Sequence, residues 1–220
     1  MTTPGAPTAR STPLRISLLA VIAVGLVVLG GALALVLGIG RDAETQPGAV
    51  DVGFSRDMAR HHLQGVEMAN VALERSQDPA VRGLAFDISS TQTNQAGRMQ
   101  GWLALWGYSP TGGDVMAWMS EGGEGHTGHA AAGNLMPGMA TEDELTELRS
   151  LSGTSFDVRF LQLMLRHHQG GFDMAEYAAE HAETDVVRRL GETIAVAQTA
   201  ESDLMTGMLA ERDADPLPAP

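Results

Sequence analysis

Two adjacent-histidine pairs, His61-His62 and His167-His168, sit in matching surroundings. Met58, His61, His62, Gly65 and Met68 fall at i, i+3, i+4, i+7 and i+10, which places them on one broad face of a helix. Met164, His167, His168, Gly171 and Met174 repeat the pattern. Neutral imidazole ligates copper, zinc, nickel and iron, whereas thioether is a soft ligand that selects copper(I) or silver(I). A site that mixes them leans towards copper. Packing offers a second reading, in which Met58, Met68, Met164 and Met174 fill a core and the histidines bond to carboxylates such as Glu67 or Asp173. Core filling has no need of neighbouring imidazoles, and each glycine clears room on that face for another backbone or an ion.

A second set of soft donors lies between the two pairs. Met116-x-x-Met119, His126-x-x-His129 and Met136-x-x-Met139 occur in a glycine-rich stretch. Exposed methionine in a loop gains nothing from burial, so metal capture competes here with simple low complexity. The motifs of other chemistries are missing. A di-iron carboxylate bundle needs Glu-x-x-His on two helices, and the residues three before each histidine are Met58, Ala59, Met164 and Leu165. There is no His-Glu-x-x-His, no phosphate loop and no Gly-x-Ser-x-Gly, so nothing argues for an enzyme and no catalytic residue is assigned.

The histidine pairs belong to a longer repeat. With an offset of 106 (167 minus 61), about 22 of roughly 56 aligned positions are identical, among them Val81/Val187, Leu84/Leu190, Ile88/Ile194, Gln92/Gln198 and Met99/Met205. Each copy reads as a helical hairpin. The first runs from about Asp51 or Ser55 to about Ser76, breaks at Asp78-Pro79 (an N-cap followed by a first-turn proline), and continues to about Trp106. The second covers about 155–182 and 185–211. Thr141 to Glu144 has the capping-box form and starts a short helix. Neither hairpin can bury its own apolar face, so the two should dock into an all-α four-helix bundle with one long crossover. Glu67 and Asp173 share a helix face with Arg60 and Arg166, which suits ion pairs.

The run Ile16–Ile39 carries no charge, and its roughly 24 residues suffice to span a bilayer. Arg10 and Arg15 precede it, which keeps the short N-terminus cytoplasmic and the rest outside the membrane. A cleaved signal peptide is the alternative, since Ala32-Leu33-Ala34 resembles a cleavage site, but the run is longer than such segments usually are. The expected layout is therefore a cytoplasmic segment at 1–15, a transmembrane anchor at 16–40 and a linker at 41–50. A bundle follows at 51–212, with repeats 51–106 and 151–212 around the Met/His-rich crossover 107–150, and then a disordered tail at 213–220. Without cysteine there is no disulfide and no thiolate site. All 27 acidic residues follow the apolar run, against 12 of the 14 arginines, leaving about −15 (12 minus 27) on the exported part. Such a surface repels nucleic acid.

The string Phe54-x-x-x-Met58-x-x-His61-His62-x-x-Gly65-x-x-Met68-Ala69, with its second copy at Phe160 to Ala175, resembles the bacterial family catalogued as domain of unknown function 305. The resemblance covers about residues 51–212. It implies a ferritin-like bundle that is exported or membrane-anchored, and some relatives are linked to copper binding or to copper and silver tolerance. On that footing Met58, His61, His62, Met68, Met164, His167, His168 and Met174 would be metal residues, with the crossover more loosely included. The second copy departs from the first at Gln169 (Leu63) and Gly170 (Gln64), so the halves need not be equal. The combined expectation is an extracytoplasmic, membrane-anchored protein that sequesters or transfers copper(I) or silver(I). The alternatives are a metal-free structural or interaction module and, third, a metal-dependent redox protein.

Overall fold

The computed structural model describes residues 12–36, 46–122 and 135–219 and separates into two units, Met1–Glu44 and Thr45–Pro220. Within the first unit, helix α1 (Thr12–Val36) contains the window Ile16–Leu33, whose mean hydropathy is 2.7. At 1.5 Å per residue its 25 residues extend about 37 Å, long and apolar enough to cross a membrane.

The second unit is all-α, with no strand among the described residues. Helices α2 (Ala49–Arg75) and α3 (Pro79–Trp106) form one hairpin, and α5 (Gly153–His181) and α6 (Asp185–Ala210) the other. Each hairpin packs internally, and α2 meets α5 across the centre, giving a four-helix bundle. A 3-10 turn (Ala117–Gly122) lies against α2, and α4 (Glu142–Ser150) lies against α5. Local signals set the boundaries. Asp78 Oδ1 accepts from Ala80 N at 2.8 Å ahead of Pro79, and Thr141 and Glu144 close a reciprocal capping box.

Each hairpin also staples the other. The Asp51 carboxylate, at the start of α2, accepts from Glu183 N (2.9 Å), Thr184 N (3.0 Å) and the Thr184 hydroxyl, in the α5–α6 turn. Asp157, at the start of α5, accepts from the Ser76 hydroxyl at 2.6 Å, in the α2–α3 turn. Asp51 and Asp157 are equivalent in the repeat, and each reaches the opposite hairpin's turn, though through different partners there.

The apolar interior divides into two layers. Met68, Leu84, Ile88, Phe156, Phe160, Met164, Met205 and Leu209 fill one end. Phe54, Met58, Met99, Met174, Val187, Leu190 and Ile194 fill the other, joined by Trp118, Met119 and Met136 of the crossover. The tail differs from its expected disorder. Ala214 and Leu217 pack on the first layer, and Gln162 Nε2 donates to Asp215 O at 2.7 Å. Helix α6 ends at Ala210, well before Pro216, and the chain beyond it lays these apolar side chains along the bundle.

Candidate functional site

Between the two apolar layers, each long helix contributes two polar side chains to one level of the bundle. They are His61 and His62 from α2, Gln92 and Gln95 from α3, His167 and His168 from α5, and Gln198 and Glu201 from α6. All four imidazoles are fully buried. The rings of His61 and His167 face each other across the axis with centroids 3.8 Å apart. Glycine makes that approach possible. A Cβ at Gly171 would lie 3.1 Å from His61 Cε1 and 2.7 Å from Gln198 Nε2. At Gly65 it would lie 3.0 Å from His167 Cε1 and collide with Gln92 Oε1.

Hydrogen bonding fixes the tautomers. His61 Nε2–H donates to Pro137 O (3.0 Å) and His167 Nε2–H to His61 O (2.9 Å), since a carbonyl only accepts. His62 Nε2 lies 2.8 Å from Gln95 Oε1 and donates likewise. Burial, the dominant cause, pushes His61 down to about 4 and His62 down to about 3, and drives His167 well below the ordinary range; neighbouring imidazoles add to the effect. All three are thus neutral at pH 7. Each keeps an unprotonated Nδ1 that finds no partner in the protein. A buried, unpaired imidazole lone pair carries a desolvation cost, and a metal ion is one group that would offset it.

His168 differs. Its Nδ1 lies 3.0 Å from Met164 O and its Nε2 is 2.5 Å from Glu201 Oε2, so both nitrogens are engaged. The equivalent of Glu201 is Gln95, and both bonds span 33 residues. Glu67 and Asp173, the carboxylates named in the packing reading, are not the histidines' partners. Glu67 pairs with Arg149 of α4 rather than Arg60, and Arg166 pairs with Glu144.

Met58, Met68, Met164 and Met174 are fully buried, Met68 and Met164 on one side of the imidazole layer and Met58 and Met174 on the other. Among the described residues, no three His, Asp or Glu side chains come together as a group that could hold a metal ion by themselves.

The described parts of the crossover dock on this level. Met119 and Met136 are buried beside Met58 and Met174, with Met116 and Met139 at the edge of the same cluster. His126 and His129 lie outside the described residues. The halves differ where the crossover lands. Gln64 clasps Ala140 in both directions, its Nε2 to Ala140 O at 2.9 Å and its Oε1 from Ala140 N at 2.7 Å. Gly170, at the equivalent position, is where the Pro137 carbonyl sits, leaving no room for a Cβ. At the crossover's other end, Asp57 Oδ2 accepts from Met116 N and Trp118 Nε1, both at 2.8 Å, while Trp118 covers Gly53. Replacing Gly170 with alanine should therefore destabilise the bundle by about 1–3 kcal/mol despite alanine's better helix propensity, because backbone has to move. The measurement is the urea midpoint; an unchanged or raised midpoint would mean the crossover yields freely.

A model of the family described as Domain of unknown function (DUF305) matches residues 51–209. The chain belongs to that family. Among solved structures, a DUF305 protein from Streptomyces coelicolor is 41% identical, with a TM-score of 0.68 over 76% of this chain and 94% of its own. A DUF305 fragment from Deinococcus radiodurans is 33% identical, with a TM-score of 0.61 over 75% and 98%. CopM in its Cu(II)-bound form is 26% identical, with a TM-score of 0.57 over 73% and 96%. No curated protein matches the chain.

Proposed function

We propose that this DUF305 protein binds copper(I), and silver(I) in its place, to sequester it or hand it on outside the cytoplasm. The observation that carries the reading is the buried level where His61, His62 and His167 each hold an unpaired Nδ1 lone pair between two layers of thioether. Neutral nitrogen with soft sulfur favours copper(I) over zinc(II). CopM, the 26%-identical neighbour, is known as a Cu(II)-bound form and has also been solved with Cu(I) and with silver. The test is titration with copper(I) under anaerobic, reducing conditions against a competing chelator, with zinc(II) as comparator. Tight copper(I) and weak zinc(II) binding is expected; equally weak binding of both would leave a helical interaction module.

The same proposal places the bundle on a membrane anchor formed by α1, supported by its apolar window and by Arg10 and Arg15 before it. The protein should then fractionate with membranes, and protease added from outside should remove everything beyond about residue 45. A soluble mature chain starting near Leu35 would show instead that the segment is a cleaved signal.

A further inference from the structure

The imidazole level reaches the surface at a cleft of about 280 Å³ between α5 and α6. Gln169, Phe172, Ser202 and Asp203 are among its wall residues, and His168 and Gln198 lie at its inner end. Gln198 is only 3% exposed, and neither its Oε1 nor its Nε2 finds a hydrogen-bond partner in the protein. A buried primary amide with both polar atoms unpaired costs free energy unless a group reaching it through the cleft satisfies it. Gln198 and His61 Cε1 both pack closely against Gly171, so the Gln198 amide lies between the cleft and the paired His61 and His167 rings.

The repeat supplies an internal comparison. In the first copy the positions of Gln169, Ser202 and Asp203 hold Leu63, Ala96 and Gly97, and Gln95 stands where the second copy has Glu201. Both copies build the same bundle, so packing does not require the polar, acidic set in the second. An acidic mouth raises the local concentration of cations and their rate of arrival.

We propose that the α5–α6 cleft is the port through which a copper ion passes between solvent and the imidazole level, with the Asp203 carboxylate at its mouth and the Gln198 amide oxygen as a transient ligand inside. This rests on the copper reading above. It is tested on the full chain in detergent by rapid mixing with the cationic copper(I)–acetonitrile complex, stopping at set delays with bathocuproine and reading the copper not yet captured. Asp203→Lys, which reverses the charge, and Ser202→Leu, which narrows the cleft, should each slow loading on the order of tenfold. Equilibrium affinity should stay within about twofold of the parent, because neither residue belongs to the proposed ligand set. Gly97→Lys, at the equivalent open position of the first copy, should load at the parental rate. Parental loading rates in both cleft variants, or equal slowing by Gly97→Lys, would overturn the port while leaving copper binding intact. A parent that captures no copper would overturn the binding reading itself, and the port with it.

Discussion

Acidification from pH 7 to pH 4.5 is expected to remove on the order of 5 kcal/mol from the stability of the metal-free bundle, through His61 and His62 alone. Unfolded, each imidazole titrates near 6.5; folded, burial holds His61 at about 4 and His62 at about 3. The unfolded chain therefore binds more protons throughout the interval, so stability rises with pH across it and falls as acid is added. The loss begins near pH 6.5 and continues down to the folded values, with His167 shifted in the same direction. Asp57, raised by burial, works the other way. Asp78 and Glu144, both lowered, lose their contribution only further into the carboxylate range. A loss of this size is comparable to the whole stability of many domains. Urea midpoints measured at pH 7, 5.5 and 4.5 should fall steadily, and His62→Gln should flatten the dependence. A midpoint constant from pH 7 to pH 5 would contradict neutral burial of these rings.

Much of the bundle was legible because the repeat states it twice. Periodic apolar positions and the Asp78-Pro79 and Thr141-Glu144 caps define where helices run, and the Met/His spacing puts those side chains on one face. Two equivalent hairpins then bring the histidine faces together. The partners of the imidazoles were harder to read. Gln95 and Glu201 lie 33 residues from His62 and His168 on the antiparallel helix, and no local spacing rule reaches that far. The matched Asp51/Asp157 pair was a visible signal, yet its role depends on the fold bringing each aspartate to the opposite hairpin's turn. Asp57 had no counterpart to mark it, since Leu163 stands at the equivalent position. Nothing in the composition of residues 213–219 revealed that Ala214 and Leu217 would find apolar surface.

Buried neutrality also bears on the pH range of the proposed metal capture. A solvent-exposed histidine site loses copper as the pH drops through about 6.5, when imidazole protonates. In this bundle the rings of His61 and His62 stay neutral towards about 4 and 3 while the protein remains folded. Copper(I) affinity should hold from pH 7 to about pH 5.5 and end where the bundle unfolds, rather than following a single imidazole titration.

The central claim is that the imidazole level, with its flanking thioethers, holds the ion. The direct measurement is anaerobic copper(I) titration against a competing chelator on three proteins: the parent, a variant with His61, His62, His167 and His168 all changed to alanine, and a deletion of residues 116–139. Truncating the four buried rings also opens cavities, so retained helicity is confirmed by circular dichroism before titration. The account predicts that the alanine variant loses at least 100-fold in copper(I) affinity, about 2.7 kcal/mol or more, while remaining helical. Because Met119 and Met136 pack beside Met58 and Met174, the deletion should weaken binding as well, but by less. Full affinity in the alanine variant together with its loss in the deletion would contradict the account and move the site to the crossover.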